Sequence, residues 1–287
     1  MLTSHLGDPE SKPLTVAQFR RLTVFARNME RPSDKRDLTA EDIMSLGYDR
    51  PWAERIMHLL SRQEQLEYYV NQAAKYQCYP ITRISSHYPE ALRNRLGNDA
   101  PGCLWAKGDA SLLNCPGVSV VGSRDLREEN LSFAAEVGRQ AAKQGYILIS
   151  GNARGADRVA QDSCLENGGK VISIVADSLK KCKAHPNVLY LSEDGFDVSF
   201  SAIRALSRNR LIHSMGLVTL VCQCTLEKGG TWSGTTQNLQ HHLSPVYCFQ
   251  DGSAGVEALL QMGAAGVSTK HLEDFSSLPQ IQMNMFE

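Results

Sequence analysis

From Val118 onward the chain alternates between short apolar runs and longer stretches whose apolar positions recur at helical spacing. The runs at 118–121, 146–150, 171–175, 188–191, 217–222 and 246–249 are rich in Val, Ile and Leu on successive positions. Strands apolar on both sides belong inside a parallel sheet covered on both faces. Between the first two, Leu131, Ala134, Ala135, Gly138, Ala141 and Ala142 share one helical face, and Gly145 ends that helix. A second helix runs from Ala156 through Val159, Ala160, Ser163 and Cys164 to Gly168-Gly169. Further helices are predicted over 200–214, near 235–242 and over 255–262, and a short strand at Val267 closes the sheet. The alternation predicts an α/β fold, a Rossmann-like, doubly wound, mainly parallel sheet.

The first 75 residues read differently. Val16, Phe19, Leu22, Val24 and Phe25 mark a helix over 16–28, and Pro32-Ser33 breaks the pattern. Thr39 and Asp42 stand in capping-box positions for the next helix, which Leu46-Gly47-Tyr48 stops. Pro51 opens a third helix through Ile56, Leu59 and Leu60, extending toward Ala74. Helix, glycine turn, helix fits a small helix-hairpin-helix (SAM-like) module and equally a packing cap on the main domain. The expected division is a helical domain at 1–75, a Rossmann-like domain at 76–275 with a transition over 79–113, and a loosely ordered tail at 276–287.

Composition narrows the function classes. The 287 residues are 42% hydrophobic and 21% charged, with a net charge of −1. That is the profile of an ordinary globular protein, and not of one coated in positive charge for gripping long duplex DNA. No apolar stretch approaches a membrane span, and residues 1–13 lack the order of a secretion signal, so no membrane partner and a cytoplasmic location are expected. The eight cysteines are scattered and read as reduced thiols. Cys222, Cys224, His241, His242 and Cys248 lack the spacing of a zinc site, so neither a metal nor a cofactor is expected.

In a doubly wound sheet, loops at the carboxyl ends of the strands gather on one edge, where ligands bind. Three small-residue loops meet that condition. Gly122-Ser123-Arg124 offers close backbone approach, a hydroxyl and a bidentate guanidinium, and is also a common tight turn. Ser150-Gly151-Asn152-Ala153-Arg154-Gly155-Ala156-Asp157 is more specific: its amides can turn inward around an anion at a helix start. Asp157 fits there as a carboxylate holding the loop's amides, whereas Arg154 can point to a ligand or to a carboxylate. The third loop carries Gly230, Thr231 and Ser233, whose hydroxyls and amides suit a phosphate or ribose. Its Trp232 offers either a stacking face or a buried anchor. Arg208 and Arg210 lie in an otherwise amphipathic helix, and Arg204 shares a face with Arg208; such arginines reach phosphates or form internal ion pairs. The run Lys180 to Lys183 reads as a solvated face.

The order of these motifs, ending in Ser207-Arg208-Asn209-Arg210-Leu211-Ile212, resembles the DNA-processing protein A (DprA/Smf) family over about residues 79–249. The segments Tyr88-Pro89-Glu90-Ala91-Leu92 and Leu104-Trp105-Ala106-Lys107-Gly108 match what that family carries upstream. The resemblance implies a non-catalytic Rossmann-like domain that binds single-stranded DNA in a basic pocket, dimerises, and helps load a RecA-type recombinase during DNA uptake. It implies phosphate contact by Arg124 and by the loop bearing Ser150, Gly151, Ala153, Arg154 and Gly155. The chain departs from the family at Gln161, where histidine is common, and in the G-G-T-W-S-G-T loop, and no winged-helix sequence follows Phe249. A rival reading is a phosphoribohydrolase of the cytokinin-activating type. Gly234-Thr235 is followed by Thr236, Gln237 and Asn238 without that group's glutamate, which leaves Glu193 as the nearby acid. A third reading is a nucleotide-sensing module.

Overall fold

The computed structural model describes residues 2–8, 10–27, 37–279 and 281. Strands β1 (Cys78–Thr82), β2 (Cys103–Lys107), β3 (Gly117–Val121), β4 (Ile147–Ser150), β5 (Val171–Ile174), β6 (Val188–Ser192), β7 (Thr219–Val221), β8 (Val246–Phe249) and β9 (Ala265–Val267) form one sheet, ordered β1-β2-β6-β5-β4-β3-β7-β8-β9. All pairings from β6 to β9 are parallel; β1–β2 and β2–β6 are antiparallel. The chain winds one way from β3 through β4, β5 and β6, then returns to β7 on the other side of β3. The strand order therefore reverses between β3 and β7, where a doubly wound sheet opens a crevice.

Eleven helices accompany the sheet among the described residues: α1 (Val16–Arg27), α2 (Ala40–Ser45), α3 (Arg50–Leu60), α4 (Gln63–Ala74), α5 (Glu90–Leu96), α6 (Glu128–Lys143), α7 (Ala156–Glu166), α8 (Ala202–Ser207), α9 (Asn209–Met215), α10 (Gly229–His241) and α11 (Ala254–Gln261). One face of the sheet packs Ile149, Ile172 and Val221 against Leu92, Leu211, Ile212, Val256 and Leu259. The other packs Val118, Val120, Leu148 and Leu220 against Phe133, Val137, Ala141 and Ala160 of α6 and α7. Alternate strand residues feed the two layers, so both faces are dry and the strands read as continuous apolar runs. The doubly wound α/β expectation holds.

Several expectations change. The 79–113 segment holds two strands rather than a connector; Pro80 hid β1, and it is tolerated there because β1 is an edge strand. The helix expected over 200–214 divides at Arg208. The glycine-rich stretch from Gly229 is the start of α10, not a loop. Its glycines serve close packing on α9: a Cβ at Gly234 would stand 3.1 Å from Asn209 Cβ and from His213 Nε2. The expected tail is packed through Pro279, with Phe275 and Leu278 buried and Tyr247 Oη donating to Pro279 O at 2.7 Å.

At the N-terminus the Thr39–Asp42 capping box forms as expected. The Pro32-Ser33 break lies outside the described residues. The third helix ends at Ser61, so α3 and α4 are separate. Leu14, Leu22, Ile43, Ala53, Ile56 and Leu59 form a core of their own. By contrast, Tyr69 and Ala73 of α4 pack with Cys78, Trp105 and Phe196 on the sheet side. On packing grounds we place the division between the two units near Ser61–Arg62 rather than at residue 75.

The α6–α7 contact sets where both helices begin, and hence where the β3 and β4 loops lie. A Cβ at Gly138 would stand 2.1 Å from Ala160 O, backbone that has no slack. Gly138→Ala is expected to lower stability by about 2 kcal/mol through overpacking, read by urea denaturation. An unchanged midpoint would show that the helices separate freely.

Candidate nucleic-acid interface

The loop after β3 bonds to both its neighbours, to the segment beyond β7 across the crevice and to the end of the loop after β4 on the near side. Ser123 donates its amide to Gln223 O at 3.1 Å beyond β7, and Ser123 O accepts from Ala156 N at 3.2 Å at the start of α7. Asn152 and Gly155 take positive φ values of 58° and 87°, which turn the second loop back on itself. Asp157 holds that turn from inside: its Oδ2 accepts from Gly151 N at 3.0 Å and from Ala153 N at 3.2 Å. That is the role expected of it.

Arg208 is the unusual group. Its side chain is buried, its Nη1 lies 3.9 Å from Asp157 Oδ2, and neither its Nε nor its Nη1 has a hydrogen-bond partner among the described residues. The guanidinium fills the space that a side chain on Gly151 would take, since a Cβ there would fall 1.1 Å from Nη1. Burial pushes the arginine below its usual range, Asp157 opposes that shift, and Arg124 adds to it. Burial likewise raises Asp157, with Arg208 and the two loop amides pulling the other way. Neighbouring cations and an unfilled donor set are what an incoming anion would satisfy. Arg124 itself is exposed and makes no hydrogen bond or ion pair among the described residues.

Two cavities open on this pair. One, of about 680 Å³, is lined by Gly122, Ser123, Arg124, Asp157, Arg208, Asn209, Gly230 and Thr231. The other, of about 840 Å³, is lined by Gly151, Asn152, Arg154, Arg158, Lys181, Lys183 and Tyr190, again with Arg124 and Arg208. Arg124, Ala153, Phe200 and Arg208 line both. The cavities are thus neighbours on either side of two guanidiniums and one aromatic ring.

Most of the expected residues come together here, and four do not. Gly155 lines neither cavity, since it packs against the β3 loop, where a Cβ would stand 2.3 Å from Ser123 O. Ser150 is fully buried with its Oγ accepting from Gln161 Nε2, so it faces the interior and not the rim. The glutamine in the place of the family's histidine is therefore a structural partner that also reaches Ser173 Oγ at 3.4 Å. Arg210 pairs with Glu193 and donates to Asp99 O at 2.8 Å, lining neither cavity. Ser233, in the second turn of α10, also lines neither. Arg154 reaches the carboxylate of Asp125 at 2.7 Å while remaining largely exposed beside the second cavity. Trp232 packs against the sheet core, which makes it an anchor.

The site also holds groups that sequence reasoning passed over. Phe200 is 54% exposed and borders both cavities. Lys181 and Lys183, expected to be merely solvated, line the second cavity with Arg158. Arg204 is a staple: it donates to the carbonyls of Ala176, Val198 and Ser199 at 2.9, 2.7 and 2.7 Å and pairs with Asp194 at 2.5 Å. It fixes the segment that carries Phe200. An aromatic just ahead of an arginine-rich helix was the available signal. Glu193, the acid of the hydrolase reading, is half-buried against Arg210 and lines a separate cavity near the N-terminal segment. Among the described residues no cluster of His, Cys, Asp or Glu fits a metal ion, and no helix is long and apolar enough to cross a membrane.

Fold and site together define a class: a doubly wound α/β protein with an arginine-lined crevice at its topological switch point. A family model for DNA recombination-mediator protein A matches residues 80–278, and the chain belongs to that family. It is 30% identical over 141 residues to DNA processing protein DprA of Streptococcus pneumoniae, an alignment covering 46% of this chain and 50% of that one. It is 23% identical over 211 residues to the Bacillus subtilis DprA, covering 68% and 70%. The chain thus spans about half the length of the pneumococcal relative. The pneumococcal DprA crystal structure superposes with a TM-score of 0.72 at 24% identity, over 90% of this chain and 92% of that one. A DprA structure from Helicobacter pylori, described as showing a single-stranded DNA binding mode, superposes with a TM-score of 0.57 at 26% identity, over 66% and 90%. The resemblance drawn from the motifs is borne out at the level of family and fold.

Two predictions follow from the geometry. Gly151→Ala must expel the Arg208 guanidinium, and we expect it to weaken oligonucleotide binding about tenfold or more, as loss of a charge-assisted contact does; fluorescence anisotropy checks this, and unaltered affinity would remove Arg208 from the site. His213, buried between α9 and α10, is depressed to about 3 by burial and then by Arg208. In the unfolded chain it protonates near the ordinary value of about 6.5, so the unfolded state binds the extra proton and stability falls as pH drops below that value. Between pH 7 and pH 5 the wild type should lose about 2 kcal/mol more than His213→Gln in urea melts.

Proposed function

We propose that this chain binds single-stranded DNA, with the phosphates on Arg124, Arg208 and the Gly151–Gly155 turn, as a non-catalytic DNA-processing protein. The observation that carries the reading is the buried Arg208 guanidinium, which lacks hydrogen-bond partners on two nitrogens and borders both cavities beside the unpaired Arg124. Both nitrogens are sealed from solvent, so a phosphodiester supplies the missing acceptors as the guanidinium turns toward the cavities.

Two adjoining cavities favour a strand over a single nucleotide. A mononucleotide fills one side of the Arg124–Arg208 wall. A strand continues along Arg158, Lys181 and Lys183 in the other, with Phe200 offering a face to a base. The Helicobacter relative's single-stranded DNA binding mode and the family's name as a recombination mediator support this choice. Glu193, neutralised by Arg210 and outside both cavities, is not placed to protonate a departing base, which disfavours the phosphoribohydrolase. The same reading assigns a RecA-type recombinase and a second copy of the chain as partners, a cytoplasmic place of action, and a role in DNA uptake and recombination.

The test is a titration with labelled oligo-dT across a salt series. Affinity should fall steeply with salt, at about 0.7 logarithmic units per decade for each phosphate held. Arg124→Ala should weaken binding and reduce that slope by about 0.7. Salt-independent binding, or competition by a mononucleotide as effective as that by the oligonucleotide, would overturn the strand reading.

A further inference from the structure

We propose that Gln223 is the positioning residue of the phosphate-contacting loop, a deepening that rests on the single-strand reading above. Gln223 follows β7, directly across the switch point from Gly122, Ser123 and Arg124. Three of its polar groups reach that loop. Its backbone carbonyl accepts from Ser123 N at 3.1 Å. Its side-chain Oε1 accepts from Arg127 N at 3.0 Å, and its Nε2 donates to Asp125 O at 3.2 Å. Arg124 lies inside the bracket that these bonds close.

The chemistry selects this side chain. A primary amide accepts and donates from one rigid plane, and the loop presents an amide N–H at Arg127 and a carbonyl at Asp125. Glutamate satisfies the first and repels the second, while adding negative charge to the cavity wall beside Arg124. Asparagine is one methylene too short to span the same two groups from the end of β7.

The effect extends past Arg124. Asp125, whose backbone the amide pins, holds Arg154 through its carboxylate at 2.7 Å. Arg127, at the other end of the bracket, is anchored by the Asp251 carboxylate, which also accepts from Asn130 Nδ2 at 2.8 Å. One glutamine therefore sets the β3 loop and, through Asp125, an arginine of the β4 loop. Gln223 needs no contact with DNA for this role.

The experiment is a double-mutant cycle on oligo-dT affinity using wild type, Gln223→Met, Arg124→Ala and the double variant, joined to amide hydrogen exchange at Arg127. Methionine keeps the length and removes both polar atoms. We expect Gln223→Met to weaken binding about tenfold in the wild-type background and less than about twofold in the Arg124→Ala background, the non-additivity of coupled groups. Exchange at Arg127 should quicken while the core strands stay protected. An equal loss in both backgrounds, or unchanged exchange at Arg127, overturns the proposal. Arg124→Ala binding as tightly as wild type would instead overturn the phosphate reading, with exchange at Arg127 still deciding whether Gln223 holds the loop.

Discussion

A guanidinium sealed at the end of a sheet with two of its nitrogens unpaired is the constraint around which this molecule is arranged. Among the described residues Arg208 has one carboxylate within reach, Asp157 at 3.9 Å, and that carboxylate already serves the amides of Gly151 and Ala153. A buried cation so poorly matched costs stability unless something else supplies acceptors. The crevice at the strand reversal is where such a ligand can enter, and Arg124 stands open at its mouth.

The rest of the fold holds that arrangement in place. The α6–α7 packing fixes where the loops after β3 and β4 end. Glycine at 151 leaves room for the guanidinium, and glycine at 234 lets α10 close on α9, which begins just after Arg208. Arg204 and Arg210 look alike in sequence but spend their donors on the scaffold, one on Ala176 O beyond β5 and on carbonyls of the segment before α8, the other on Glu193 and Asp99. The division of labour follows burial and acceptor supply, not residue type.

The sheet was legible because both of its faces are covered, so every parallel strand announced itself as an apolar run. The antiparallel β1–β2 pair is hidden by Pro80, and the start of α10 reads as a loop because glycines needed for helix–helix contact look like turn glycines. Of the site, the rim loops and Asp157 could be read from small residues at strand ends. The inward turn of Ser150, the diversion of Arg210 and the anchoring of Trp232 could not, since each depends on which partner the fold brings to it: Gln161, Glu193 and the sheet core under Trp232. Phe200 and the lysines were missed because a solvated lysine run and a cavity wall have the same local composition.

The central claim is that the Arg208 guanidinium is held in reserve for a backbone phosphate. A crystal structure of the protein with a short oligo-dT tests it most directly. The account predicts a phosphodiester oxygen within hydrogen-bond distance of Arg208 Nη1 or Nε, with the strand passing Arg124 into the lysine-lined cavity. A strand bound on another surface, with Arg208 left as it is in the free protein, would contradict it.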